Sequence, residues 1–278
     1  MILIADAGAT KIQWVVLSEG KAAQPVETAG FNPYTMEPGI LLDAVEKDLV
    51  PFINPGYITD VFFYGAGCST QFKCNIVEDV LKEVFEKADL EIYHDLLGAA
   101  RALFGRNEGI ACILGTGSNS CLYDGKNIIE NVTSLGYFFG DEGSGAYLGK
   151  LFLTEYLRGR MPEKIRLAFD KRYGYSVENI LDSVYNKPYP NRFLSSFAEY
   201  IGSFKDDEFV KGLVKKNFLD FFREQVTQYT GYKDQPIGVI GSVGFHFRDI
   251  FLETAAGHKL KVNKIIQSPI EGLIDYHK

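Results

Sequence analysis

No apolar run in this chain approaches the roughly 18 consecutive residues that a membrane-spanning helix needs. A membrane is therefore not expected as a partner. Basic charge is also in short supply: 29 Lys and Arg stand against 36 Asp and Glu, a formal charge of -7. Proteins that grip a phosphate backbone carry a basic face, so nucleic acid is excluded as a partner. Cysteine is scarce. The four present, Cys68, Cys74, Cys112 and Cys121, form no C-x-x-C pair, which speaks against a thiolate metal site or a disulfide framework. Cys112 and Cys121 lie in apolar, strand-like runs where a thiol behaves as a small hydrophobe. The opening MILIAD carries no basic stretch, and reduced thiols in the cytoplasm are the expectation. Low-complexity segments and short-period repeats are missing too.

What the chain does have is enough apolar residue to build a large core: 278 residues, 46% hydrophobic and 23% charged, a length that suits two domains or one large one. It also has glycine placed where apolar runs end. Ile110 to Leu114 breaks into Gly115-Thr116-Gly117-Ser118-Asn119, the pattern of a buried strand running into a tight loop. Two glycines let the backbone approach an anion, and the Thr and Ser hydroxyls add donors, so a phosphate suits the loop. A plain turn is the alternative. Further on, Gly140-Asp141-Glu142-Gly143-Ser144-Gly145 sets two carboxylates among glycines before a helical pattern, where acids also serve simply as caps.

From the start of the chain, the pattern reads as strand, turn, strand, with Asp6-Ala7-Gly8-Ala9-Thr10-Lys11 at the turn. A strand-end carboxylate followed by small residues, Thr and Lys can hold a metal ion and the phosphates it bridges. A hairpin with a polar tip is the alternative. Residues 22–30 read as a third strand, and Asn32 precedes Pro33 in a loop, as a cap or a binding group. Helical spacing over 37–52 and again after Asn75, with Glu78 as its capping-box partner, brackets a strand over 61–64. Glu91 to Asp95 is a short strand ending in a carboxylate, just where α/β proteins place chemistry. Asp95 is equally suited to cap the helix that follows. His94, one residue earlier, reads as a structural histidine on the opposite face. Residues 162–231 look helical throughout, and Ile237 to Ile240 opens into Gly241-Ser242-Val243-Gly244 before another helix. A hairpin with a glycine turn, then strand, helix, strand and helix, occurs once before Gly105 and recurs after it.

Taken in order, DAGATK, the strand-end Asp95, GTGSN, GDEGS, GSVG and PIEG resemble the actin-like ATPase superfamily of sugar kinases, actin and seventy-kilodalton chaperones. His94-Asp95 followed by GTGSN and GDEGS resembles, within it, the N-acetylglucosamine kinases and their relatives, the activator ATPases of CoA-ester reductases and dehydratases. The resemblance spans nearly the whole chain. It implies an α/β fold of two ribonuclease-H-like domains about an inter-domain cleft: residues 1–105 with a closing helix over 269–278, and residues 106–268 with a helical insertion. It implies ATP and Mg2+ as cofactors, with Asp6 orienting the metal and Gly8, Thr10 and Lys11 at the β and γ phosphates. Gly115, Thr116, Gly117 and Ser118 would form the second phosphate loop, and Gly241, Ser242 and Gly244 would flank adenosine. Asp95 would be the catalytic base. Asn32, Asp95, Gly136, Asp141 and Glu142 would contact a small-molecule sugar. The resemblance implies phosphorylation of an amino sugar, N-acetylglucosamine or glucosamine, at the 6-hydroxyl; animal members carry Gly-Gly-Trp-Gly where this chain has Thr133-Ser134-Leu135-Gly136, a change in the pocket around the 2-substituent that leaves another amino sugar open. A homodimer is the assembly the resemblance allows. An activator ATPase and a non-catalytic nucleotide-dependent regulatory module stand as the alternative functions.

Overall fold

The structure is a computed structural model and describes residues 1–8 and 10–278; Ala9, inside the first glycine turn, lies outside the described residues. The chain forms two compact units. The first comprises Met1–Asn107, Asp124–Asn127 and Ser268–Lys278; the second comprises Glu108–Tyr123 and Ile128–Gln267.

In the first unit, β1 (Ile2–Ala7) is buried along most of its length because parallel and antiparallel neighbours flank it. It pairs antiparallel with β2 (Lys11–Ser18) and parallel with β5 (Asp60–Gly65), and β5 pairs parallel with β6 (Asp89–His94). The short β3 (Lys21–Ala22) and β4 (Val26–Ala29) both pair with β2, giving the order β3-β2-β1-β5-β6. The single strand expected over 22–30 is thus split, with Pro25 between its halves, where a missing N–H interrupts a ladder. Helices Pro38–Ala44, Gln71–Val84, Asp95–Phe104 and Ile270–His277 pack about this sheet. The α-helix expected over 37–52 stops at Ala44 and continues as a π turn and a 3-10 turn, since Pro51 cannot donate to an α-helical ladder. Gln71–Val84 starts at Thr70, whose hydroxyl accepts from Lys73 N at 3.3 Å. The expected cap, Asn75, instead sits one turn inside and accepts from Gln71 Nε2.

The second unit repeats the plan. β7 (Gly109–Leu114) pairs antiparallel with β8 (Ser118–Tyr123) and parallel with β10 (Pro236–Ile240); β9 (Ile128–Glu130) and β11 (Lys261–Ile266) lie at the edges. The order β9-β8-β7-β10-β11 matches the β3-β2-β1-β5-β6 path of the first sheet, which has β4 in addition, so the echo in the sequence is a repeated topology. Between β9 and β10 runs the helical insertion, which is several helices rather than one continuous run: Glu163–Tyr173, Val177–Tyr185 and Glu208–Glu224 are its longer members. This is the α/β architecture of two ribonuclease-H-like domains that the motifs imply.

Each unit has its own core. Trp14, Phe31, Phe63, Val77 and Leu81 fill the first, with Trp14 Nε1 donating to Thr28 Oγ1 at 3.0 Å. Phe152, Phe169, Phe197, Phe218, Phe221 and Phe251 dominate the second. Such rings contribute about 1.5–3 kcal/mol each on burial, enough to hold a sheet and an insertion together.

Candidate active site

The parallel register of β1, β5 and β6 sets Ala7, Gly65 and His94 side by side, so the carboxyl ends of three strands form one edge. Asp6, Gly8 and Asp95 all stand at that edge. Asp6 is partly exposed, yet burial pushes its carboxyl up to about 7; the neighbouring Asp95 charge adds to the rise and Lys11 opposes it. Gly8 closes the turn, its N–H donating to Lys11 O at 3.0 Å and its carbonyl accepting from Phe31 N at 3.2 Å. Thr10 and Lys11 are exposed there, and Lys11 Nζ meets Glu27 Oε1 at 2.6 Å.

Asp95 is the first residue of helix Asp95–Phe104, and His94 occupies the cap position. The reading of Asp95 as a cap is corrected by this geometry: the group accepting from the helix end is His94 Nδ1, from Leu96 N at 3.1 Å. The same Nδ1 lies 2.9 Å from Asp95 Oδ1, so His94 does not face away from it. Asn32 Oδ1 accepts from Tyr34 N at 2.9 Å, and the loop of Gly67 passes so close that a Cβ at Gly67 would fall 2.6 Å from that oxygen.

In the second unit, Gly115–Gly117 forms the tip between β7 and β8, closed by Gly115 N to Gly117 O at 3.0 Å. The start of helix Gly145–Leu157 is bonded to this tip, with Gly145 N donating to Gly115 O and Ala146 N to Thr116 O. Asp141, buried and held at φ +60, accepts from Ser118 N at 3.3 Å. Its oxygens come so near Gly117 that a side chain there would crowd them. Burial raises the Asp141 carboxyl above its ordinary range; the Ser118 bond opposes this. Glu142 is beside it, with Oε2 next to Gly140, and Gly136 takes φ +68 at the start of the short helix Gly136–Phe139.

Gly241 lies where β10 turns into helix Ser242–His246. Its φ is +119, and a Cβ would sit 2.3 Å from Leu114 O, so only glycine permits this approach. A Cβ at Gly244 would fall 2.5 Å from the Val239 side chain. The Gly241–Gly244 turn and the Gly115–Ser118 tip are therefore neighbours, and Gly145 approaches both Gly115 O and Val243. Beside the turn opens a cavity of about 530 Å³ lined by Ser195, Ser196, Glu199, Lys205, Ser242 and His246. Most of these residues went unnoticed in the sequence. They belong to the insertion, and no local pattern marks them as neighbours of a turn some fifty residues away.

Two features fit a phosphate-bearing nucleotide. Ser118 Oγ is buried without a hydrogen-bond partner, a group that costs stability unless something else bonds to it. The cavity is of the size and mixed polarity that a nucleoside requires. For the metal, no group of three or more His, Cys, Asp and Glu converges among the described residues. Mg2+ takes few protein carboxylates and completes its shell with water and phosphate oxygens. Asp6, held partly protonated by its surroundings, suits that role, because a cation beside it would restore the carboxylate. Cys112 and Cys121 are fully buried in β7 and β8, which leaves neither able to ligate a cluster at a surface.

No protein-family model and no curated protein matches the chain. Among solved structures, a candidate N-acetylglucosamine kinase from Porphyromonas gingivalis is 44% identical, with 100% of this chain and 98% of that one covered and a TM-score of 0.95. A candidate N-acetylglucosamine kinase from Chromobacterium violaceum shares the fold at 18% identity, with 100% and 98% covered and a TM-score of 0.78. Component A of the (R)-2-hydroxyglutaryl-CoA dehydratase of Acidaminococcus fermentans shares it more distantly, at 11% identity, 98% and 94% covered, and a TM-score of 0.54.

Proposed function

Because the chain belongs to the N-acetylglucosamine kinase family of actin-like ATPases, we propose that it transfers the γ-phosphoryl group of ATP to the 6-hydroxyl of an amino sugar, N-acetylglucosamine or glucosamine. The observation that supports this reading is the placement of Asp6 and Asp95 at the same carboxyl edge of the first sheet, where the Asp95 charge adds to the rise of the Asp6 carboxyl. A phosphoryl transfer needs positioning, charge neutralisation and one acceptor for the hydroxyl proton. Asp95 accepts that proton. Asp6 would hold Mg2+, which would supply positive charge against the phosphate oxygens. Gly8, Thr10 and Lys11 supply one phosphate turn, and Gly115, Thr116, Gly117 and Ser118 supply another. Gly241, Ser242 and Gly244 flank adenosine, with Ser242 in the lining of the 530 Å³ cavity. Asn32, Gly136, Asp141 and Glu142 orient the sugar.

An ADP-release assay across hexoses and amino sugars tests the proposal. An amino sugar should give the highest kcat/KM, and glucose should trail it by about tenfold or more, the discrimination that a site bonding the 2-substituent provides. ADP release that no sugar stimulates would refute it. The activator-ATPase alternative is disfavoured by the burial of Cys112 and Cys121.

A further inference from the structure

His94 ends β6, and its Nδ1 stands between two groups: Leu96 N at 3.1 Å and Asp95 Oδ1 at 2.9 Å. A ring nitrogen carries a proton or offers a lone pair, so it serves one of the two at a time. With a lone pair it accepts from Leu96 and caps the helix. With a proton it donates to Asp95. A base awaiting a hydroxyl proton must be a carboxylate, and a lone pair 2.9 Å from a carboxylate oxygen is repelled by it. Where Asp95 is ionised, the proton on Nδ1 is then the favoured arrangement, and the Leu96 N–H gives up its acceptor in exchange. Burial alone would lower the His94 pKa, but the bond and the charge of Asp95 outweigh it and hold the imidazole above its ordinary range. Both side chains are mostly shielded, 25% and 28% exposed, where a charge-assisted hydrogen bond is worth more than in water. Capping by itself is a poor reason for histidine here, since Ser, Thr, Asn and Asp cap better.

We propose that His94 is a positioning residue for the transfer: its Nδ1–H holds Asp95 Oδ1 and so presents Oδ2 to the sugar hydroxyl. The proposal rests on Asp95 being the base. In the step, the hydroxyl proton passes to Asp95 Oδ2 as the hydroxyl oxygen bonds to the γ-phosphorus and the bond from that phosphorus to the ADP oxygen breaks. His94 neither gains nor loses a proton. It fixes which oxygen faces the substrate, a matter of orientation to which rates respond steeply.

The test compares His94→Asn with His94→Asp. Both replacements cap a helix well. Asn also offers an N–H donor to Asp95, whereas Asp offers only acceptors and a second negative charge. His94→Asp should lower kcat roughly 10- to 100-fold with sugar KM within about threefold, and His94→Asn should recover kcat to within about threefold of the unmodified enzyme. A residue that only capped the helix would leave both variants equally active, and equal kcat in the two overturns the proposal. Should the Asp variant fail to fold, His94→Ala replaces it. Ala also lacks a donor, so kcat of the folded protein should fall as for Asp, and kcat equal to that of His94→Asn is again the overturning result. Asp95→Asn serves as the control. If that variant stays active, the base assignment falls and takes the role of His94 with it; if it is inactive while the His94 variants match each other, only the positioning role is lost.

Discussion

Asp95 is the residue on which the proposed chemistry turns, and an isosteric amide isolates its proton-accepting role. Asp95→Asn should reduce turnover by roughly 10² to 10⁴ if it is the general base. ATP affinity, measured by calorimetry, should hardly change, because the candidate phosphate turns are other segments of chain. Retention of more than about a third of turnover would shift the base to Asp141 or Glu142, the other acids of the motif set. Ser118 gives a second test at this scale. Its hydroxyl is buried with no partner, so it contributes nothing to the fold that its loss would remove. Ser118→Ala should leave the urea midpoint unchanged or slightly higher, while weakening nucleotide binding about 3- to 10-fold, the worth of one hydrogen bond. A marked loss of stability with unaltered nucleotide affinity would show that the hydroxyl serves the fold instead.

Among the elements, the closing helix Ile270–His277 is tied to the sheet by a chain of hydrogen bonds. Arg101 Nη1 donates to Tyr64 Oη at 2.8 Å, which leaves the Tyr64 hydrogen for His277 Nε2 at 2.9 Å. The histidine nitrogen is thus an acceptor. Protonating it would set a donor against a donor, beside the Arg101 cation. Burial first, and then Arg101, lower the His277 pKa from 6.5 to about 4. The folded state therefore binds fewer protons than the unfolded one between those values, and stability present above pH 6.5 is lost as the pH falls toward 4. With allowance for the partial exposure of the ring, the loss should be about 1–2 kcal/mol. His277→Gln, whose carbonyl can still accept from Tyr64, should flatten the decline in urea unfolding between pH 7 and pH 4.5. An unchanged decline would assign it to other groups.

At the scale of the whole molecule, two units with separate cores argue for unfolding in two transitions, since each can lose its packing alone. Trp14 is the sole tryptophan and lies in the first core. Its fluorescence should then report one transition on heating while circular dichroism reports both, and coincident curves would show that the units melt as one. Much of this organisation was settled locally in the chain. The glycine turns after Leu114 and Ile240, the strand-end Asp6 and Asp95, and the repeated strand order follow from apolar runs and the residues that interrupt them, and short-range patterns are what a sequence displays. The helix boundaries at Thr70 and Ala44 are not legible in the sequence, because several residues in each stretch satisfy the same local rules. What joins distant segments only folding decided: Asp141 on the Ser118 amide, the approach of Gly241 to Leu114, and the cavity that Ser195, Glu199 and Lys205 build beside Ser242. His94 shows the limit most sharply. It adjoins Asp95 in sequence, but the side of the backbone on which its Nδ1 lies depends on how β6 ends and the helix begins, and that is fixed by packing against the rest of the first unit.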